Sequence, residues 1–343
     1  MRLHTRAAST VVAVLAAAVL GLAVVPAQAR TATPASAATT GATPSAAALH
    51  LGPALIDVSV ATVWRHATSP RVVDHPALAN PVRIRTWLSA MTNAQRRGLD
   101  GRADTQVLLG DQVRVIALSG NWARVVVPGQ PTPLDPRGYP GWIPKRQLVN
   151  GSESTTGTHV MVVKPTTWLR TLSGARRLEV SMGTRLPAVA RSGAYWKVRL
   201  PDGTTLKVAV SAVVRQPLTA SGSSLVRTAK KFLGLAYLWS GTSGFGPDCS
   251  GLTELVYRVH GIRIPRDSSA QATAGVAVRR ASLRPGDLVF FASSGTTVDH
   301  VGMYVGNGLM IHAPHTGTHV QISPLSAAPW SREYVGARRI LPT

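Results

Sequence analysis

Gly246-Pro247-Asp248-Cys249-Ser250-Gly251-Leu252-Thr253-Glu254-Leu255-Val256 is the stretch from which the rest of the chain can be read. Gly246 and Pro247 stop whatever element precedes them. Leu252, Leu255, Val256 and Val259 then repeat at helical spacing. Cys249 therefore falls at or just inside the N-terminus of a helix. Unpaired backbone N–H groups and the helix dipole favour a thiolate there, and the same N–H groups can hold a developing oxyanion. A cysteine used only for packing would sit deeper in the apolar stripe.

Cys249 is the single cysteine of a 343-residue chain. It matters more because the N-terminus looks exported. Arg2 and Arg6 precede an apolar run from Ser9 to Val25, and Ala27-Gln28-Ala29 offers the small residues of a cleavage site. Residues 1–29 are read as a signal peptide and 30–49, rich in Ala, Thr, Pro and Ser, as a flexible leader. Exported proteins usually spend cysteines in disulfide pairs. A lone thiol needs another explanation, either a small buried hydrophobe or a nucleophile.

A nucleophilic thiol needs a base. Asp299-His300-Val301-Gly302-Met303-Tyr304-Val305 alternates as a strand, with His300, Gly302 and Tyr304 on one face and the aliphatic side chains on the other. Gly306-Asn307-Gly308 turns this strand back onto Leu309 to Ala313, bringing His312 near His300. Nucleophile, base and orienting group then follow in the order Cys249, His300, His312. A zinc reading uses His312, His315 and His319 with Cys249. Pro314 and Thr316-Gly317-Thr318 make that stretch irregular and no acid is interleaved, so no metal or other cofactor is expected.

Working outward, Ser224 can cap a helix that buries Val226, Ala229, Phe232 and Leu233. Strands are expected at Asp287 to Ala292, Val298 to Val305 and Leu309 to Ala313. Helices followed by an antiparallel sheet make residues 225–343 an α+β unit, with 216–224 as linker. Upstream, residues 50–150 read as a β-rich unit interrupted by one helix from Thr86 to Leu99, with a turn at Gly110 and a strand over Asn121 to Val127. Residues 158–215 repeat the theme: a Gly183 turn, then Tyr195-Trp196 and alternating residues, suggest an internal duplication.

The chain resembles the NlpC/P60 family of papain-like cell-wall peptidases over about residues 223–325. The resemblance is carried by Tyr237-Leu238-Trp239-Ser240-Gly241, Asp248-Cys249-Ser250-Gly251, Pro265-Arg266 with Ser269 and Gln271, Arg284-Pro285-Gly286-Asp287-Leu288, Asp299-His300-Val301-Gly302-Met303-Tyr304 and Ile311-His312-Ala313. It implies Cys249 as nucleophile, His300 as base and His312 as third polar residue. Tyr237, Asp248, Ser250 and Ser269 become candidate substrate-binding positions. Ser240 departs from the glycine usual in the family. The two upstream units are similar to bacterial SH3-type barrels through Thr105-Gln106, Asn121-Trp122, Gly138-Tyr139 and Gly141-Trp142-Ile143. The implied fold is an α+β papain-like catalytic domain preceded by two SH3-like β-barrels. The implied substrate is a peptidoglycan stem peptide, cut at the γ-D-glutamyl bond to a diamino acid. An amidase or acyltransferase on the same scaffold, and a non-catalytic wall-binding protein, remain as alternatives.

The formal charge is +22, and removing residues 1–29 takes away two arginines and no acid, leaving +20. Such a field seeks polyanions. With an export signal the expected partner is the anionic cell wall. Nucleic acid is not expected, because no basic run is interleaved with aromatics. A monomer without stable membrane insertion after signal cleavage is expected.

Overall fold

The computed structural model describes residues 48–341. The signal peptide and nearly all of the leader lie outside the described residues. Among the described residues no helix is long and apolar enough to cross a membrane.

The first sheet is built from β1 (Gly52–Ile56), β2 (Val60–Trp64), β3 (Ala103–Leu108), β4 (Gln112–Ser119), β5 (Trp122–Val127), β6 (Tyr139–Pro144) and β7 (Leu148–Asn150). Their spatial order is β3-β2-β6-β5-β4-β1-β7. The second contains β8 (His159–Val162), β9 (Thr166–Arg170), β10 (Arg176–Ser181), β11 (Arg185–Ser192), β12 (Tyr195–Arg199), β13 (Thr205–Ala209) and β14 (Val213–Val214). Its order, β10-β9-β13-β12-β11-β8-β14, is that of the first sheet advanced by seven strands. The duplication suggested by the Gly–Trp recurrence is thus a repeat of connectivity.

The expected β-barrels are not formed. Neither sheet closes: β3 and β7 end the first, β10 and β14 the second. Each sheet carries an irregularity in its longest strand. In β4 the register shifts between Val115 and Ala117, where the strand passes from β5 to β1. In β11 it shifts between Ala188 and Ala190, near the passage from β12 to β8. One extra residue on one side of a ladder sharpens the local twist and re-aims the strand. The free edge of β3 is occupied otherwise. The Gln106 carbonyl accepts from Thr242 Oγ1 at 2.8 Å, and its side-chain oxygen accepts from Ser243 Oγ at 2.8 Å. The Gly110 turn joins β3 to β4, which pair with other strands and not with each other.

Between β2 and β3 the expected single helix is two. α1 (Ile84–Ala90) ends at Met91, and α2 (Asn93–Arg97) restarts under a capping box in which Thr92 and Gln95 exchange backbone-to-side-chain bonds. Thr92 prefers to cap rather than continue, because its hydroxyl competes for the backbone.

The remaining chain opens with α3 (Gly222–Lys230), capped by Ser221, whose Oγ accepts from Ser224 N. The expected cap, Ser224, is instead the third helical residue, so helix begins inside the stretch read as linker. The short ribbon β15 (Thr242–Ser243) and β16 (Gly246–Pro247) leads into α4 (Cys249–Val259), then α5 (Ser268–Gln271). A six-stranded antiparallel sheet follows: β17 (Val276–Ala277), β18 (Leu288–Phe291), β19 (His300–Gly306), β20 (Leu309–His312), β21 (Gln321–Pro324) and β22 (Tyr334–Arg339). Its order is β17-β22-β18-β19-β20-β21, and α6 (Trp330–Glu333) sits between the last two strands in sequence. The mixed α+β architecture of this region is as expected. One apolar core joins α3, α4 and the inner face of β18–β20 to Val60, Trp64, Trp87 and Leu108 of the first unit.

Candidate active site

Asp248 caps α4: its Oδ1 accepts from Gly251 N at 2.6 Å. Cys249 is the first helical residue, a free thiol 9% exposed. The approach to this helix is tight. A Cβ on Gly251 would lie 1.9 Å from the Gly241 carbonyl oxygen, so only glycine lets the helix start pack on that backbone. Ser240, just before, holds φ at 65°, a region that disfavours side chains and suits glycine. It is buried, and its Oγ has no partner.

His300 opens β19 opposite Phe291 of β18, and His312 ends β20. The two rings meet edge-on: His300 Nε2 lies 2.8 Å from His312 Nδ1. His312 Nε2 in turn lies 3.0 Å from Ser323 Oγ on β21. If His300 Nδ1 is to take a proton, its own hydrogen must be on Nε2. His312 then accepts at Nδ1 and donates from Nε2 to the serine. Gly302 leaves room in this sheet for side chains of the neighbouring strand β20. A Cβ there would meet Met310 Sδ at 2.7 Å and His312 Cβ at 3.3 Å.

Cys249 and His300 line the same cavity, of about 510 Å³. The backbone N–H groups of Val301 and Ser250 favour the Cys249 thiolate, but they do not win. Burial first, and the Asp248 carboxylate second, push the Cys249 thiol up to about 12. Burial likewise pushes His300 and His312 down to about 3, with His315 adding to the effect on both. Both shifts favour the neutral forms, thiol at Cys249 and imidazole at His300.

The cavity also receives Tyr237, Asp248 and Ser250. Asp248 is fully engaged: it caps α4 and takes Arg266 Nη2 at 2.6 Å. Ser250 Oγ accepts from Arg266 Nη1 at 2.8 Å. Ser269 is exposed and does not line the cavity; its neighbour Ser268 does. His315 and His319 do not gather with Cys249 and His312 into a metal-holding group among the described residues.

Sequence reasoning missed several lining groups. Asp104 and Tyr139 come from the first sheet, Asp267 from the start of α5, and Trp330 from α6. Tyr139 OH donates to Asp267 Oδ1 at 3.3 Å, and burial raises the Asp267 carboxyl. Asp104 pairs with Arg65 at 2.6 Å. Trp330 lies flat on His300, ring centroids 4.9 Å apart and planes 28° apart. The Gly138-Tyr139 and Pro265-Arg266 motifs pointed at some of these neighbours, but nothing local signals Ser323 or Trp330.

A thiol at a helix start, sharing a cavity with an imidazole that a second histidine holds, is the kind of arrangement papain-like cysteine peptidases use. The chain belongs to the NlpC/P60 family. The model of that family matches residues 234–339, and a model described as the YKFC SH3b2 domain matches residues 162–213. An SH3-type domain is thus identified for the second upstream unit and not for the first. The chain is 43% identical to the gamma-D-glutamyl-L-lysine dipeptidyl-peptidase of Bacillus cereus over 303 residues, covering 84% of this chain and 91% of the relative. It is 40% identical to the Bacillus subtilis protein of the same name, covering 82% and 96%. The crystal structure of an NlpC/P60 family protein from Bacillus cereus superposes with a TM-score of 0.82 at 42% identity, covering 84% of this chain and 100% of that one.

Proposed function

We propose that the protein is an exported peptidase that cleaves the γ-D-glutamyl bond to a diamino acid in peptidoglycan stem peptides. The reading rests on one observation above all: Cys249 at the start of α4 shares a cavity with His300, whose Nε2 is held by His312 at 2.8 Å. Cys249 Sγ attacks the γ-carbonyl carbon as its proton passes to His300. Backbone N–H groups at the helix start receive the oxyanion. The C–N bond breaks, His300 returns the proton to the leaving amine, and a thioester remains. Water, deprotonated by His300, then releases the acid and the free thiol.

The relatives' name specifies a dipeptidyl-peptidase, and the cavity has groups suited to that. Asp104 and Asp267, with Tyr139 between their elements, offer carboxylates to a free N-terminal ammonium. On this reading the first sheet is part of the substrate site. Residues 1–29 direct export, and the divisions 50–150, 158–215 and 225–343 serve as two wall-side units and a catalytic unit.

Digestion of defined stem peptides with free or acetylated N-terminal L-alanine, read by mass, tests this. Products split between D-glutamate and the diamino acid, only from the free amine, are expected. Cleavage at the amide to the glycan, or transfer without hydrolysis, would replace the reading with an amidase or an acyltransferase.

A further inference from the structure

His300 is fixed at two points, its Cβ on β19 and its Nε2 against His312. A ring held at two points can still swivel about the line joining them. That motion carries Nδ1, the nitrogen that must meet the thiol, through an arc. A flat surface against the ring removes this freedom, and the structure supplies one. The Trp330 indole stacks on His300 at 4.9 Å and 28°, and it meets the His312 ring at 4.7 Å and 90°. Phe291 backs the indole edge-on at 5.2 Å and 68°, and itself lies 5.8 Å from His300. Tyr334, which follows α6, packs on Phe291 at 6.0 Å and 76°. A four-residue helix is thereby pinned by aromatic contacts to the strand that faces His300.

We propose that Trp330 is a positioning residue that sets the swivel angle of the His300 imidazole and keeps water from its face. The general acid and base work through geometry first. A misplacement of about 1 Å at the reacting atoms can cost about a hundredfold in rate. The indole contributes no proton and does not need to touch the scissile bond. It acts through His300, and through His312 whose edge it also covers. Titratable groups around His300 are Cys249 on α4, His312 on β20, His315 in the following loop, and Asp299 and Glu333 at the cavity wall.

The inference rests on the peptidase reading, and the wild-type protein separates the two. If the wild type cleaves no stem peptide, that reading fails. The Trp330 assignment alone is at stake once the wild type cleaves. Trp330→Ala, Trp330→Leu and Trp330→Phe are compared by kcat, KM and the pH profile of kcat/KM, with thermal melts as a fold control. The alanine and leucine variants are expected to lose about 10- to 100-fold in kcat with KM within about threefold. Their acidic limb moves to higher pH, because a hydrated imidazole is more easily protonated. Phenylalanine, which keeps a flat face, recovers most of kcat and returns the limb. Should Trp330→Ala fail to fold, Trp330→Leu against Trp330→Phe carries the same test. A rise in KM with kcat preserved would make Trp330 a substrate contact. Equal kcat losses in the leucine and phenylalanine variants with an unmoved acidic limb would make its role structural. Either result overturns the proposal.

Discussion

Arg266 and Asp248 form an ion pair inside the protein, Nη2 to Oδ2 at 2.6 Å, directly beneath the start of the helix that carries Cys249. Arg266 also donates from Nε to Thr105 Oγ1 on β3 at 2.8 Å, and its backbone N–H reaches the Pro131 carbonyl at 3.0 Å. One buried guanidinium thus ties the first sheet to the cap of the helix that carries Cys249. Removing it leaves a carboxylate stranded where burial is costly. Arg266→Ala should destabilise the fold by about 3–5 kcal/mol. Arg266→Lys should recover part of this, since a point charge satisfies Asp248 but cannot also reach Ser250 and Thr105. Denaturant titration checks both, and an alanine variant as stable as the parent would show that the pair carries no weight.

Gln106 makes the same junction from the edge of β3, accepting from Thr242 and Ser243 with its backbone and side-chain oxygens. Gln106→Ala should lower kcat/KM about tenfold and leave the second sheet untouched, because the β15–β16 ribbon that leads to Cys249 loses one of its holds. Steady-state kinetics on a small stem peptide would reveal this. Unchanged kinetics would mean that the ribbon is held by its own turn.

The stretch around Cys249 was legible because its determinants are local: Gly246 and Pro247 to stop the preceding element, a helical stripe to follow. The pairing of His300 with His312 was legible for a similar reason, since Gly306 to Gly308 fixes one short turn. Sheet closure was not. It depends on whether β3 meets β7 and β10 meets β14, partners more than thirty residues apart, and on bulges in β4 and β11 that leave no composition signal. Trp330 and Ser323 were invisible because they reach the histidines only after β21 and α6 fold back on the sheet. The upward push on the Cys249 thiol comes from a sum that a sequence cannot supply. Two N–H groups compete with full burial and a neighbouring carboxylate, and the burial is larger.

The proton relay gives a graded prediction. Cys249→Ala should abolish turnover and leave the fold intact, since a small apolar side chain fills the same place. His312→Ala should reduce kcat by about 10²-fold, in the range of a lost acid–base contribution, because His300 loses its Nε2 partner. Ser323→Ala removes only the end of the chain, the 3.0 Å contact to His312 Nε2, and should cost less than about tenfold. Single-turnover rates on one peptide rank the three. A serine effect as large as that of His312 would contradict the assigned tautomers.

Acid should weaken the fold through the same histidines. His300 and His312 are both pushed from 6.5 down to about 3 by burial. Below about 6.5 the unfolded chain takes up protons there that the folded chain refuses. Stability present above that pH is therefore lost progressively as pH falls towards 3. Asp57, raised to about 6 by burial and by Asp202, works in the opposite direction over part of that range. The histidine share is read by difference: His312→Gln should lose less stability between pH 7 and pH 4 than the parent. Parallel curves for the two proteins would show that His312 takes no part in the acid response.

Charge predicts how the enzyme is held. The 15 acidic residues leave 37 lysines and arginines with a net formal charge of +22, and eight of the carboxylates among the described residues, Asp104, Asp135 and Glu179 among them, already pair with arginine. The surplus is spread rather than gathered in sequence: Arg97, Arg176, Arg177, Lys230, Lys231, Arg279 and Arg280 are exposed and belong to all three parts of the chain. Dispersed charges act through their summed field, which salt screens over about 8 Å at physiological ionic strength. Cys249 and His300 are buried and depend on contacts of a few ångströms, which salt hardly reaches. Two titrations separate these effects. Sedimentation with isolated cell walls should fall steeply between low and molar salt. Turnover of a small neutral stem peptide should change by less than about threefold over the same range. Wall binding that stays flat through molar salt would sink the electrostatic account, and would place a specific wall ligand on one of the two upstream sheets.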